Sequence, residues 1–377
     1  MRDVRDIKAA VVGTGFIGVV HVEALRRLGV EITGVVGSTP ERAAEKARAA
    51  ALPPPYPSFA AMLDDPAVEV VHLTTPNHLH HAQVKQTLAA GKHVVCEKPL
   101  ALDSTETAEL LRLADESGLV HAVNFNIRFY AQCQEARRRV QAGELGDVRL
   151  ITGGYLQDWL LLDTDWNWRL DPAEGGSLRA VGDIGSHWLD LVQFVTGRRV
   201  EAVMADLTTF IPVRKQPTGP VETFSSGGAG ETVDTQMETE DAAGILLRLS
   251  GGARAVMTVS QVSAGRKNRL SWEIDGSDAA LAWHSEAPEE LWIGHRERPN
   301  ELLLREAGDY PPGHAEGFPD TFKHLYRAVY AAVAAGEPGT DYPTFADGHD
   351  EALIADAIAR SHAEGRWVSV APVPQEV

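Results

Sequence analysis

The chain has 377 residues, 44% hydrophobic and 23% charged, a balance that excludes a disordered or fibrous chain and a length that favours two domains over one core. Its 53 acidic and 35 basic residues leave a formal charge of -18, which would repel a phosphate backbone and argues against nucleic acid as a partner. The start "MRDVRDIK" lacks a signal peptide's apolar segment, no stretch is long enough to span a bilayer, and Cys96 and Cys133 make neither a disulfide framework nor a metal-ligand pattern; a cytoplasmic protein without membrane partner, metal or thiol redox chemistry is expected.

Short apolar runs alternate with helical patterns in the first third, as in a parallel sheet flanked by helices. "IKAAVVG" is a predicted strand and "FIGVVHVEALRRLG" a helix closed by Gly29. "EITGVVGS" is a second strand, followed by the helix "TPERAAEKARAA", capped by Thr39 with Pro40 in its first turn. Beyond the loop "LPPPYP" come the strand "VEVVHLTT", the helix "HHAQVKQTLAAG", the strand "KHVVCEKP", the helix "STETAELLRLADESG" with Ser104 as its cap, and the strand "LVHAVNF". This order predicts an α/β fold with a Rossmann dinucleotide-binding domain over residues 1–127.

From residue 128 the pattern changes. A helix, "AQCQEARRRVQAG", leads to "DVRLITGGYLQ", and then "EAVMADLTTF", "DAAGILLRLS", "ARAVMTVSQV", "NRLSWEIDG" and "DAALAWH" follow as strands without intervening helices. Ala243, Ile245, Leu247 and Leu249 fall on one side of their strand, which suits an antiparallel sheet with two unlike faces. Residues 128–377 are therefore expected to form an α+β substrate-binding and oligomerisation domain with a large, mostly antiparallel open sheet, the C-terminal helix packing back on the first domain. An apolar sheet face of that size is expected to pair subunits into a homodimer or homotetramer. The Gly-, Ser- and Thr-rich stretch between Pro212 and Asp241 reads as an irregular excursion at a sheet edge or subunit contact.

Within this frame "GTGFIG" sets Gly13, Gly15 and Gly18 in a G-x-G-x-x-G spacing between a strand and a helix. Gly13 allows the tight turn, Gly15 the approach of a pyrophosphate, and Gly18 close helix packing, with Thr14, Phe16 and Ile17 completing the cofactor turn. The acid that would hold a ribose 2′-hydroxyl is missing: the second strand ends in Gly37, Ser38 and Thr39, with Arg42 one turn into the helix. Small polar residues there permit NADP, and Arg42 can pair with a 2′-phosphate or stand as a solvated helix arginine. The residues lean to NADP, with measurable use of NAD. "TTPNHLHH" follows a strand's carboxyl end, where ligands bind in open α/β sheets, so Thr75, Pro76, Asn77 and His80 are cofactor candidates. His78, His80 and His81 lack a carboxylate or cysteine at ligand spacing.

The segments "VVGTGFIG", "TTPNHLH", "AAGKHVVCEKPLA", "GDIGSHWLD" and "FADGHDEALIADAIARS", in this order along nearly the whole chain, resemble the Gfo/Idh/MocA family of NAD(P)-dependent sugar and polyol oxidoreductases. The resemblance implies that Lys98 touches nicotinamide and substrate, that Asp183 and His187 complete the catalytic trio, that the Lys98–Pro99 bond is cis, and that Arg169 in "WNWR" approaches the nicotinamide. Glu97 is expected to accept a hydrogen bond from cofactor or lysine, and Asn126 to line the site.

The residue types suit the chemistry independently. Oxidising a carbinol needs a base for the hydroxyl proton, a task for the His187 imidazole. An ammonium at Lys98 stabilises developing alkoxide charge. Asp183, four residues before His187 and so on one helix face with it, orients a sugar hydroxyl. "DWLLLDTDWNWRLDP" mixes Trp159, Trp166 and Trp168 with Asp158, Asp165 and Arg169, a lining suited to sugars, though any one tryptophan can equally be core. Asp158, Trp166 and Tyr155 are the substrate-binding candidates. Together these predict a dehydrogenase for a secondary hydroxyl of a cyclic sugar, glycoside or inositol. The alternatives are a redox-neutral glycoside-processing enzyme and a catalytically silent cofactor- or sugar-sensing protein.

Overall fold

The apolar runs of the first third are the strands of one parallel sheet: β1 (Lys8–Val12), β2 (Glu31–Val36), β3 (Val70–Leu73), β4 (His93–Cys96) and β5 (His121–Val123), in the order β2-β1-β3-β4-β5. The structure, a computed structural model, describes residues 2–219, 230–305, 308–311 and 313–370. The chain divides into two units, Met1–Asn126 with Phe318–Ala352, and Ile127–Gly317 with Leu353–Val377.

In the first unit β3 is wholly buried, as a strand covered by helices on both faces must be. The helices are α1 (Phe16–Leu28), α2 (Pro40–Ala49), α3 (Phe59–Leu63), α4 (Asn77–Ala89) and α5 (Ser104–Ser117). Gly29 ends α1 at φ 78°, its N–H bonded to the Arg26 and Leu25 carbonyls, and Thr39 caps α2 by accepting from the Arg42 N–H. Two boundaries differ from the sequence pattern. The cap of α5 is Asp103, which accepts the Glu106 N–H at 2.9 Å while Glu106 accepts the Leu102 N–H, so Ser104 lies inside the helix. Helix α4 starts at Asn77, three residues before its expected start, because Pro76 fixes an extended entry. Strand order reverses beside β1, whose neighbours are β2 and β3, and the loops after β1 and β3 both leave this switch point.

The second unit opens with α6 (Ala131–Gln141) and β6 (Leu150–Leu156), followed by the single turn α7 (Pro172–Gly175) and α8 (Ser186–Thr196). Then come β7 (Val200–Thr208), β8 (Val213–Pro217), β9 (Thr232–Gln236), β10 (Ala242–Leu249), β11 (Arg254–Ser260), β12 (Arg269–Asp275), β13 (Ala279–His284), β14 (Glu290–His295) and β15 (Glu301–Leu304). Helix α9 (Phe318–Ala335) belongs to the first unit and packs on α1, α10 (Phe345–Glu364) crosses the division, and β16 (Val368–Ser369) ends the sheet. The nine-stranded order is β15-β14-β13-β12-β6-β11-β10-β7-β16, antiparallel except where β6 meets β11. Ala243, Ile245, Leu247 and Leu249 are buried on the face that receives Trp188 of α8, whereas Leu246 and its cross-strand partner Val256 are 45% and 43% exposed.

The stretch after Pro212 is more regular than its composition implies. Strands β8 and β9 pair as an antiparallel two-stranded sheet, and residues 220–229 of the same stretch lie outside the described residues. Strands β14 and β15 were not legible, since charged and proline-rich segments flank them; burial of Leu291 and Ile293 defines β14.

Candidate active site

In the first unit the glycine turn is explained by what a methyl group would strike. At Gly13, φ is 112° and a Cβ would lie 2.3 Å from Thr74 Oγ1; at Gly18 it would lie 2.1 Å from the Gly13 carbonyl oxygen. These two glycines are thus required by the fold itself. A Cβ on Gly15 would meet nothing within 4 Å, and its backbone, at φ -76° and ψ -174°, is open to any residue. Gly15 also stands at the N-terminus of α1, which has no side-chain cap and no acid in its first turn. Among the described residues nothing at Gly15 requires glycine, and an uncapped helix N-terminus with that clearance has room for a phosphate group. Gly15→Ala is expected to change stability by less than about 1 kcal/mol yet weaken dinucleotide binding at least about tenfold. Gly18→Ala should instead lower the unfolding midpoint; thermal unfolding with an NADH fluorescence titration separates the two.

At the end of β2 a Cβ on Gly37 would sit 2.8 Å from the Ala43 Cβ, so α2 leaves no room for an acidic side chain at that position. Ser38, Thr39 and Arg42 beyond it are exposed. After β3, Thr75 donates from Oγ1 to Gln83 Oε1 at 2.6 Å, and Asn77 is buried in the first turn of α4. The three histidines of this segment have separate surroundings. His78 is exposed, His81 pairs with Glu109 at 2.8 Å, and His80, fully buried, lies 2.8 Å from the Pro99 carbonyl and 2.9 Å from that of Thr75. His80 therefore ties the loop after β3 to the loop after β4. Burial pushes its pKa down, against the pull of the two carbonyls.

The loop after β4 carries Glu97, Lys98 and a cis Lys98–Pro99 bond. Glu97 is buried and accepts from Asn124 Nδ2 at 2.6 Å and the Lys98 backbone N–H at 3.2 Å; its Oε1 also lies 3.0 Å from His21 Nε2. Asn126, 2% exposed, donates to Thr321 Oγ1 at 2.7 Å within the same unit.

In the second unit the segment with Asp183 and His187 is not a simple helix start. Val181–Gly185 is a π-helical turn that runs into α8, with Asp183 in the turn and His187 in the first turn of α8. Such turns widen the backbone and recur at functional sites. Glu240 holds the turn by accepting the Val181 N–H at 2.8 Å and the Arg179 N–H at 3.1 Å. Burial pushes the Glu240 carboxyl up. Burial would also raise its neighbour Asp241, but Arg179 and Arg214, all three side chains fully inaccessible, hold Asp241 below the usual carboxylate range. Asp183 itself accepts from Arg169 Nε at 3.0 Å and Gln261 Nε2 at 2.9 Å. The Arg169 guanidinium lies 4.3 Å over the Trp168 ring.

Trp159, Trp166 and Trp168 are each half-buried, whereas the core tryptophans of this unit are Trp188, Trp272 and Trp283. Tyr155 donates to Asn268 Oδ1 at 2.6 Å, and its ring centroid is 6.2 Å from that of His187. Burial raises the Tyr155 phenol well above its ordinary value, so it acts as a neutral donor. Asp158 binds Lys267 Nζ at 2.6 Å and the Gly265 N–H at 3.0 Å, and this pairing lowers its pKa.

Residues 7–125 match the family described as "Oxidoreductase family, NAD-binding Rossmann fold", and residues 133–282 match the "GFO/IDH/MocA C-terminal domain". The chain belongs to the Gfo/Idh/MocA family of oxidoreductases. Levoglucosan dehydrogenase of Pseudarthrobacter phenanthrenivorans is 28% identical, over 97% of this chain and 98% of its own length. Inositol 2-dehydrogenase of Rhizobium meliloti is 26% identical over 97% and 99%. Among solved structures, levoglucosan dehydrogenase in complex with NADH and L-sorbose superposes with a TM-score of 0.88 at 28% identity, covering 97% of this chain and 99% of that one. An inositol dehydrogenase homolog complexed with NAD+ from Azotobacter vinelandii gives 0.83 at 25% identity, covering 96% and 97%.

As a Gfo/Idh/MocA oxidoreductase the chain has supporting residues that motif spacing does not reveal. Asn124 and His21 meet Glu97, and Gln261 and Glu240 support Asp183 and its turn, from 27, 76, 78 and 59 residues away. No local pattern marks such pairs. The one available signal is a polar side chain among strand-forming apolar residues, as at Gln261, directly after β11.

Proposed function

We propose that this oxidoreductase oxidises a secondary hydroxyl of a cyclic sugar, glycoside or inositol, or reduces the corresponding ketone, with a nicotinamide dinucleotide as redox partner. The observation that carries the substrate class is the run Trp168, Arg169, Asp183, Gln261: an aromatic face, a guanidinium, a carboxylate and an amide linked by direct contacts. Such a set offers a ring face to C–H bonds and paired donors and acceptors to hydroxyls. Sugar and polyol dehydrogenases among the relatives of similar length support it.

In this proposal the N-terminus of α1, with Gly13, Gly15 and Gly18, holds the pyrophosphate, and Thr75, Pro76 and Asn77 line the nucleotide. The bound dinucleotide would supply the hydride acceptor at nicotinamide C4. His187 removes the hydroxyl proton, Lys98 stabilises the alkoxide that develops, and Asp183 orients the substrate. The test is a panel of sugars, glycosides and inositols monitored by NAD(P)H absorbance. A cofactor-loaded protein inert to the whole panel would overturn the assignment, and aglycone release without net NAD(P)H would redirect it to transient oxidation.

The proposal includes use of both NAD and NADP, with Arg42 pairing the 2′-phosphate. The steric closure at Gly37 and the exposed Ser38, Thr39 and Arg42 support it, since Gly37, Ser38 and Thr39 put no carboxylate at the end of β2 to repel that phosphate. Arg42→Ala should weaken NADPH about tenfold while leaving NADH within twofold. A hundredfold preference of the wild type for NADH in parallel titrations would contradict it.

The exposed face of the nine-stranded sheet, with Leu150, Leu246, Val256, Leu302 and Leu304 outward, is proposed to pair subunits into a homodimer or homotetramer. Sedimentation should show an oligomer that Leu246→Glu weakens; a wild-type monomer at micromolar concentration would exclude it.

A further inference from the structure

We propose that His21, His72 and Tyr330 form a one-directional hydrogen-bond chain that positions Glu97, and through Glu97 the loop that presents Lys98. The chain deepens the dehydrogenase proposal by adding positioning residues to it. His21 comes from α1, His72 from β3, Tyr330 from α9 and Glu97 from the end of β4, all in the first unit. Tyr330 Oη lies 3.0 Å from His72 Nε2, His72 Nδ1 lies 3.0 Å from His21 Nδ1, and His21 Nε2 lies 3.0 Å from Glu97 Oε1. The two histidines and the tyrosine are wholly buried. Three polar side chains in an apolar interior are costly unless each is paired, and here each is.

Proton counting gives the chain its direction. An ionised carboxylate only accepts, so His21 donates from Nε2, and a ring that carries one proton then accepts at Nδ1. His72 must then donate from Nδ1 and accept at Nε2, and the Tyr330 O–H supplies that last proton. Reversal requires one more proton, on Glu97 or on the His21 ring beside it, and leaves the Tyr330 O–H donating to nothing, since its one hydrogen-bond partner among the described residues is His72. An orphaned buried donor costs about 1–3 kcal/mol. Asn124 and the Lys98 N–H, both donating to Glu97, further favour the anion.

Several neighbouring groups are held in other states. Cys96 on β4 and Tyr326 on α9 are held protonated and neutral by burial, which raises both. Burial lowers His80 of α4, and it lowers His72 well below its ordinary value, an effect His21 reinforces. Glu69 is engaged by Arg2 at the protein surface. Lys98 neighbours Glu97 through its backbone N–H. The Tyr330 hydroxyl is thus the terminus that locks Glu97 as an acceptor, and Glu97 in turn holds the loop through the Lys98 N–H.

The test uses the full chain labelled with 15N-histidine, with Tyr330→Phe as the variant. In the wild type, the ring shifts should show His21 protonated on Nε2 and His72 on Nδ1. Removing one oxygen in Tyr330→Phe takes away the lock, so uptake of the extra proton, and with it the switch of His72 from Nδ1–H to Nε2–H, sets in about one pH unit higher, the equivalent of about 1.4 kcal/mol. With an accepted polyol, kcat should fall about ten- to a hundredfold while NADH affinity stays within twofold. Glu97→Gln, which removes the anion that the extra proton answers, should abolish this pH-dependent switch, and Tyr330→Phe added to it should cost no further turnover. His21 protonated on Nδ1 in the wild type, or a Tyr330→Phe shift that persists beside Glu97→Gln, would overturn the chain. The wild-type tautomers decide its direction even if a variant fails to fold. If no polyol is oxidised, the kinetic arm fails with the proposed function, while the NMR arm still decides the chain.

Discussion

Lys98→Ala is expected to lower kcat about 10²- to 10³-fold while leaving the NADH dissociation constant within about threefold, the loss typical of one preorganised electrostatic donor. The prediction separates a residue that acts on the reacting oxygen from one that merely fills the EKP loop. Glu97 already accepts the Lys98 backbone N–H and stays anchored by Asn124, so truncation beyond Cβ should leave the loop in place. Lys98→Arg should not restore the rate, because a planar guanidinium cannot occupy the place of a compact ammonium. Stopped-flow turnover together with NADH fluorescence titration gives both numbers. Equal turnover in Lys98→Ala, or a loss matched entirely by weaker NADH binding, would remove Lys98 from the chemistry.

His187→Asn should reduce kcat/KM for alcohol oxidation by about 10²- to 10⁴-fold, the range for loss of a general base. The wild-type rate should rise with pH as the imidazole loses its proton, since only the neutral ring can accept the hydroxyl proton. The variant should lose that rise. Its fold should survive: His187 lies in the first turn of α8, whose packing rests on Trp188, Leu189, Leu191 and Val192. Circular dichroism and the unfolding midpoint test this directly. A variant that keeps the wild-type pH profile at reduced amplitude would assign the proton to another group and leave His187 a packing residue.

Much of the architecture was legible because its determinants lie close along the chain. A glycine turn between strand and helix, Thr39 two residues before Glu41, Gly29 closing α1 and the alternation of β10 each depend on neighbours within one or two turns. The failures have equally local causes. Asp103 displaced Ser104 as the cap of α5 because it accepts the Glu106 N–H at 2.9 Å, a choice between two good capping residues that the pattern leaves open. The stretch after Pro212 looked irregular because glycine and serine crowd it, yet ladder pairing of Val213–Pro217 with Thr232–Gln236 overrides that composition.

The candidate site was legible as a set of residue types but not as a set of partners. Lys98, Asp183 and His187 stand in recognisable segments, whereas the groups that hold two of those segments do not. Sequence by itself determined the parallel and antiparallel halves, the dinucleotide turn and the family, since backbone conformation and side-chain periodicity are set by adjacent residues. Tertiary structure alone decided that Asp183 sits in a π-helical turn held by Glu240, and that Glu97 meets a histidine 76 residues away in a chain whose last link spans 258 residues. The physical reason is that a buried polar group must find a partner wherever packing brings one. That partner is chosen by the three-dimensional contact, and nothing in the spacing of either residue records it.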